Sequence, residues 1–369
     1  MSRNAPLNHS WFSGFFASGR RSPGALLAAL FVGLTGFCLL PVRAADLLLS
    51  GDRGPHANVV TVQDPNATDA FRPNLEHVRA MVDRAITNLT KKATVAEAWR
   101  SLVTTQDIVG LKVFSAPGPN SGTRPAVVEA VVEGLLAAGL PAKHIIVWDR
   151  QLADLRLAGF FDLADRYGIR VESSVQAGWD EQAFYNPDSP VLGNLVWGDF
   201  EFGKKGDGVG RKSFVSKLLS REITKIINIT PLLNHNEAAV SGNLYGLAMG
   251  SVDNLIRFES GPEALATAIP EIYSLPALSD HVVLNITDAF ICQYEGGDRG
   301  LLHYSATLNQ LRFSRDPVAL DVLSIKELDR QRQLANCSTV KSNLKLYSIA
   351  ALLQLGVDDL KRIDVVTVP

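Results

Sequence analysis

The stretch from Ile108 to Arg150 restricts what this chain can fold into more than any other. An apolar run, Ile108-Val109-Gly110-Leu111-Lys112-Val113-Phe114, gives way to a Gly/Pro/Ser loop from Ser115 to Gly122. The loop feeds a helix predicted over Thr123 to Gly139, and a second apolar run, Ile145-Ile146-Val147-Trp148, closes on Asp149-Arg150. Strand, loop, helix and strand in this order and length fit one right-handed crossover, which predicts two parallel neighbours in one sheet. Both strands would end on the same sheet edge, where open α/β folds place their ligands. Lys112, Asn120, Ser121, Thr123, Arg124, Asp149 and Arg150 are the polar groups gathered there, and they form the first candidate site.

Inside that unit, Thr123 is expected to cap the helix and Pro125 to occupy its first turn, where a missing N–H costs nothing. Val127, Val131, Leu135 and Leu136 recur at helical spacing, and Gly139 is a natural stop. Arg124 stands beside amides that have no partner within the helix. It reads either as part of an anion site or as a solvated first-turn side chain.

The first 44 residues read as an address rather than as fold. Arg20-Arg21 precede a long uncharged, mostly apolar run from Ser22 to Val42, and Val42-Arg43-Ala44 offers a small-x-small cleavage signal. The arginine pair is compatible with twin-arginine export, although Ser22-Pro23 replaces the bulky residue that route favours. A retained span is the rival reading, and Gly24, Gly33, Gly36 and Pro41 count against it. The expected location is therefore periplasmic or secreted, with membrane contact only through an uncleaved signal. Cleavage leaves residues 45–369, read as a single α/β domain with a mostly parallel sheet, helices on both faces, and an insertion at about 177–212.

A formal charge of −2 gives no basic surplus, so nucleic acid is not an expected partner. Of three cysteines, Cys38 leaves with the signal. Cys292 and Cys337 are too few for a disulfide framework or for a zinc or iron–sulfur cage, and read as one bridge or two unpaired thiols.

Further along, Val59 to Val62 reads as a strand, Leu75 to Leu89 and Thr94 to Val103 as helices, Leu152 to Tyr167 as helix and Ile169 to Ser173 as strand. From Ala177 to Gly210 aromatics and turn formers alternate without period, which suits a substrate-facing flap or a pair of irregular hairpins. Gly206-Asp207-Gly208-Val209-Gly210-Arg211-Lys212-Ser213 is not a phosphate loop, because Arg211 stands where the backbone needs glycine before Lys-Ser. A hairpin turn is the reading that remains.

A second candidate segment follows a buried strand predicted from Lys225 to Thr230 and ended by Pro231. It holds Asn234, His235, Asn236 and Glu237, then Ser241, Gly242 and Asn243. Amide, imidazole and carboxylate groups directly after a buried strand suit binding or acid/base work. His235 has no second histidine at metal spacing, so it reads as base, ligand or satisfied core residue. Gly261 to Leu275 is predicted helical with a break at Pro270. His281 to Thr287 should be a strand that delivers Asp288 at its end, with Glu295 in the turn beyond. A strand at Leu311 to Phe313 and a helix capped by Asp316 follow. Asp321 lies inside that helix, where capping does not explain it. Ser342 to Leu355 reads as helix and Ile363 to Val368 as an edge strand.

Taken in order, these motifs resemble one family. Leu111-Lys112-Val113, Ser121-Gly122-Thr123-Arg124-Pro125, Trp148-Asp149-Arg150, Asn234-His235 before Ser241-Gly242, Asp288 with Glu295-Gly296-Gly297, and Asp316-Pro317-Val318-Ala319-Leu320-Asp321 are similar to the domain of unknown function family 362. The likeness runs from about Val59 to Leu328 and is closest to that family's exported branch. Two positions depart from it: the branch tends to carry Lys-Asp-His where this chain has Leu233-Asn234-His235, and Lys-Asn where it has Tyr245-Gly246. Chemistry needing an amine there loses its support. Relatives with ferredoxin-like modules bind iron–sulfur clusters, for which this chain has too few cysteines. The Thr-Arg-Pro arrangement also resembles that of nickel-pincer lactate racemase-type enzymes, which implies contact of Thr123, Arg124 and Pro125 with an anionic cofactor or substrate.

Two functions compete on these residues. In one, an exported enzyme clamps an anion with Lys112, Ser121, Thr123, Arg124, Arg150, Asn234 and Asn243, and His235, Asp149, Asp288, Glu295 and Glu237 supply acid/base groups. In the other, a non-catalytic binding or partner module uses the same cations. A serine hydrolase is disfavoured, since no Gly-x-Ser-x-Gly elbow is present. The sequence assigns no cofactor or metal, and a small anionic molecule is the expected ligand.

Overall fold

The computed structural model describes residues 54–69, 71–186, 197–206, 209–258, 261–297, 299–337 and 342–369. The proposed signal, with its cleavage site and Cys38, lies outside them. Nine strands form the central sheet: β1 (Ala57–Gln63), β2 (Val109–Val113), β3 (Ile145–Asp149), β4 (Arg170–Ser173), β5 (Lys225–His235), β6 (Ala239–Val240), β7 (Val282–Gln293), β8 (Ser305–Ser314) and β9 (Ile363–Val368). Their spatial order is β9-β1-β8-β7-β5-β2-β3-β4, with β6 pairing back on β5. β7, β5, β2, β3 and β4 run parallel, while β8 is antiparallel to both of its neighbours, β7 and β1. The crossover expected from Ile108 to Arg150 is present, with Leu111 paired to Val147.

The helices that position the site are α1 (Leu75–Thr90), α2 (Pro125–Ala137), α3 (Asn243–Ser251), α4 (Pro262–Tyr273) and α5 (Pro317–Leu334). Because successive strand residues face opposite ways, each central strand feeds two cores. Ile227 and Ile229 of β5 join Val78 and Met81 of α1 and Val127 and Val131 of α2. Ile226 and Leu232 join Leu244 and Leu247 of α3 and Ile269 of α4 on the other face. Full burial of each such aliphatic side chain contributes ~1.5–3 kcal/mol, which is why the runs read as continuously apolar.

Three boundaries differ from expectation, each for a local reason. β5 does not stop at Pro231 but continues to His235. Proline cannot donate to a ladder, and here it sits where β7 shifts register, between the pairs Asp288–Pro231 and Cys292–Leu232. For the same reason Asp288 lies within β7 rather than at a strand end. The third boundary is the start of α2: Thr123 does not cap the helix, Arg124 holds the cap position with no side-chain cap bond, and the helix spans Pro125–Ala137.

In the aromatic segment, Trp179–Tyr185 pairs antiparallel with Ser213–Ser216, and a short helix, Trp197–Glu201, lies between them. Phe214 anchors the pair, with the Phe184 and Phe202 rings at 6.0 and 5.0 Å. Residues 187–196 and 207–208 of that segment lie outside the described residues. Cys292 is a buried free thiol, pushed up to about 12 by burial, and Cys337 is free and half-buried. Among the described residues no helix is long and apolar enough to cross a membrane.

Candidate functional site

Lys112 is the penultimate residue of β2 and is fully buried. Its Nζ donates to Asp149 Oδ1 at 2.8 Å and to the Val113 carbonyl. Asp149, the last residue of β3, accepts at Oδ2 from the Ser115 amide at 2.8 Å and the Ser115 hydroxyl at 2.6 Å, and at Oδ1 from the Arg150 amide at 2.8 Å. The carboxylate therefore fixes the start of the loop after β2. α3 closes over the pair at Gly250, where a Cβ would stand 2.3 Å from Lys112 Cε. Arg150 reaches across to the Val252 carbonyl.

Arg124 and Asp288 make a second internal pair. Arg124 Nη1 donates to Asp288 Oδ1 at 2.7 Å, its backbone N–H to Oδ2 at 3.1 Å, and its Nη2 to the Asn120 carbonyl at 2.8 Å. The Phe290 amide adds a contact to Oδ1 at 3.3 Å, and Asp288 is fully buried. The anion at the start of α2 is thus a carboxylate of the chain itself, favoured there by the free amides and the helix dipole. Thr123 spends its hydroxyl as a brace, donating to the Ile229 carbonyl at 2.7 Å and accepting from the Phe114 amide at 2.9 Å. Ser121 Oγ is buried with no hydrogen-bond partner among the described residues.

Between these pairs and α3 lies a buried polar layer. Register places Lys112, Asn228 and Asn285 side by side on β2, β5 and β7. Asn228 Nδ2 donates to the Asn243 carbonyl at 2.9 Å, and Asn243 Nδ2 to Thr287 Oγ1 at 3.3 Å. Asp321 of α5 accepts from the backbone amides of Asn243 at 2.7 Å and Leu244 at 3.0 Å, and from Asn243 Nδ2 at 3.0 Å. The residue that capping could not explain on its own helix therefore caps α3 instead. A Cβ at Gly242 would meet its carboxylate at 2.2 Å. Burial outweighs the three donors and pushes Asp321 up to about 7.

β5 runs on past β2, and at the tips of β5 and β7 lies a recess of about 120 Å³ lined by Asn234, His235, Asn236, Glu295 and Arg332, among others. His235 Nδ1 accepts from the amides of Ala238 at 3.0 Å and Glu237 at 3.2 Å, which assigns the neutral ring's proton to Nε2. Its ring packs against Tyr245, tilted by 45°, with centroids 4.2 Å apart. Asn234 Oδ1 accepts from the Gly297 amide at 3.0 Å and so fixes the turn carrying Glu295. Arg332, from α5, donates through Nε to Glu295 Oε1 at 2.9 Å and to the Tyr294 carbonyl, and through Nη1 to Asp329 at 2.9 Å. No hydrogen bond of its Nη2 is made among the described residues.

Lys112 and Asp149 stand at the ends of adjacent parallel strands, as the crossover implied, whereas His235 ends β5 and Asp288 lies inside β7. They do not share one opening: the first, second and fourth are buried and paired, and His235 faces the recess with Asn234 and Glu295. Glu237 is exposed at the adjoining turn. Sequence reasoning missed Ser115, Asn228, Thr287 and Arg332. Asn228 carried a usable signal, a carboxamide in the middle of an otherwise apolar strand; Arg332 reads as an ordinary cation near a helix end. Among the described residues, no group of three or more His, Cys, Asp or Glu is placed to hold a metal ion.

No protein-family profile matches the chain, and no curated protein does. A structural-genomics crystal structure of a protein from Thermotoga maritima is similar at 11% identity and a TM-score of 0.37, over 73% of this chain. The chain spans 60% of that protein's length, and at this score the likeness carries no argument.

Proposed function

We propose that the chain is an exported α/β protein that binds a small anionic molecule in the recess at the tips of β5 and β7. The observation that supports this most is Arg332, a buried guanidinium on the recess wall whose Nη2 has hydrogens to offer beyond its bonds to Glu295 and Asp329. A carboxylate or phosphate oxygen is the natural acceptor for such a fork. Asn234 and Asn236 supply amides on the same wall. Lys112–Asp149 and Arg124–Asp288 hold the loops beneath.

His235 favours binding over base catalysis, since backbone amides occupy the Nδ1 lone pair a base would use. Export rests on the arginine pair, apolar run and cleavage signal within residues 1–44. Membership of the domain of unknown function family 362 rests on the ordered motifs from Leu111 to Asp321.

Native mass spectrometry and metal analysis of protein purified from a periplasmic extract, followed by calorimetric titration of the anion released, tests the reading. Arg332→Ala should lower affinity at least about tenfold, the worth of one charge-assisted hydrogen bond. Unchanged affinity in that variant overturns the site. Turnover of the anion that disappears in His235→Ala while affinity stays intact would replace the binding module with an enzyme.

A further inference from the structure

On the other side of α5 a groove of about 660 Å³ runs between that helix and the β8, β1 and β9 strands. This is within the ~300–1,000 Å³ range of small-molecule sites. Val322, Leu323 and Ile325 of α5 form one wall, and Leu344, Leu360 and Val365, each at least two-fifths exposed, form another. Arg312 sits among them. Register puts it in one row with Thr61 of β1 and Thr287 of β7, so its guanidinium lies against the sheet and is 7% exposed.

Such a charge ordinarily brings a carboxylate with it, because a buried ion without a counter-charge is costly. Arg312 has none within ion-pairing distance among the described residues. Its Nη2 donates to Gln310 Oε1 at 3.0 Å, and its Nη1 makes only a 3.5 Å contact to the Leu323 carbonyl. The carboxylate that acts on it through space, Glu327, is engaged by Arg330 and Gln331. Asp329, also on the wall, is held by Arg332. Lys326 on the same wall likewise has no ion pair among the described residues. Of five charged wall residues, the acids are taken and two cations are left over.

We infer that this groove is a second ligand site, taking a monocarboxylate with an apolar body: the carboxylate on Arg312 and Lys326, the body along Val322, Ile325, Leu344 and Val365. The inference is independent of the recess, which lies in a different cavity and uses Arg332.

Calorimetric titration of the full chain with decanoate, decanol and acetate tests it. Decanoate should bind, decanol at least about tenfold more weakly for want of the charge-assisted bond, and acetate more weakly still for want of burial. Arg312→Gln should abolish the preference for decanoate over decanol, and Lys326→Glu, a change at the groove wall that leaves Arg312 in place, should weaken decanoate severalfold. Equal binding of decanoate and decanol, equal binding of decanoate and acetate, or no binding of decanoate overturns the inference in the unmodified protein, whether or not the Arg312 variant folds. An undiminished decanoate affinity in Lys326→Glu also counts against it.

Discussion

Two neighbouring parts of the sheet use charge in opposite ways. Lys112 with Asp149 and Arg124 with Asp288 are internal pairs, and all four residues are buried. At the tips of β5 and β7 the pair is looser: Glu295 is 31% exposed and Arg332 divides itself between Glu295 and Asp329. A crowd of ionisable residues at strand ends is thus two structures. One is a brace, where the charges neutralise each other and pin loops. The other is a recess, where hydrogen-bonding capacity is left over.

That contrast breaks or sharpens under substitution. Asp288→Ala strands Arg124 in the interior without a counter-charge and should cost ~3–5 kcal/mol in urea unfolding, with the start of α2 losing amide protection. A cost under about 1 kcal/mol would dissolve the distinction. Next in size is a pH effect. Asp321 rises from 3.8 to about 7 on folding, so the folded state holds the proton more tightly and stability falls as pH rises from about 4 through about 7. The slope is at most ~1.4 kcal/mol per pH unit for one proton. Asp253, pushed up to about 6 by burial, adds a slope of the same sign, so the measurement is the difference between the parent protein and Asp321→Asn across that window. An identical pH profile in both would place the proton elsewhere.

Gly250→Ala is a milder assault on the brace. Its methyl would press on Lys112 Cε and should cost ~1–3 kcal/mol by thermal melting, and an unchanged melting temperature would show that the brace yields freely. The smallest effect belongs to the recess. Glu295→Ala leaves Arg332 its bond to Asp329 and should change stability by less than ~1 kcal/mol, while altering anion affinity in titration. A large stability loss there would make the recess a brace as well.

Much of this was legible from residues alone. The Ile108–Arg150 crossover, the strand leading into Asn234-His235 and the anomaly of Asp321 each follow from period and residue type. The misreadings share a cause. Thr123 was expected to serve α2 because capping is a local rule, but the Ile229 carbonyl, distant in sequence, claims its hydroxyl. Pro231 was expected to end a strand because a lone strand has no remedy for a missing N–H, whereas a register shift in β7 supplies one. Arg124 was offered to an external anion, and Asp288, 164 positions along the chain, fills that place.

By itself the sequence determined the parallel sheet, the faces of its helices and the edge at which polar groups collect, because these depend on side-chain period and on short-range turn chemistry. Which charges meet was decided only by the tertiary structure. An ion pair is made by side chains that converge across strands and helices, and nothing in the spacing of Lys112, Asp149, Arg124 and Asp288 says that they will satisfy one another while Arg332 and Arg312 keep hydrogens to give.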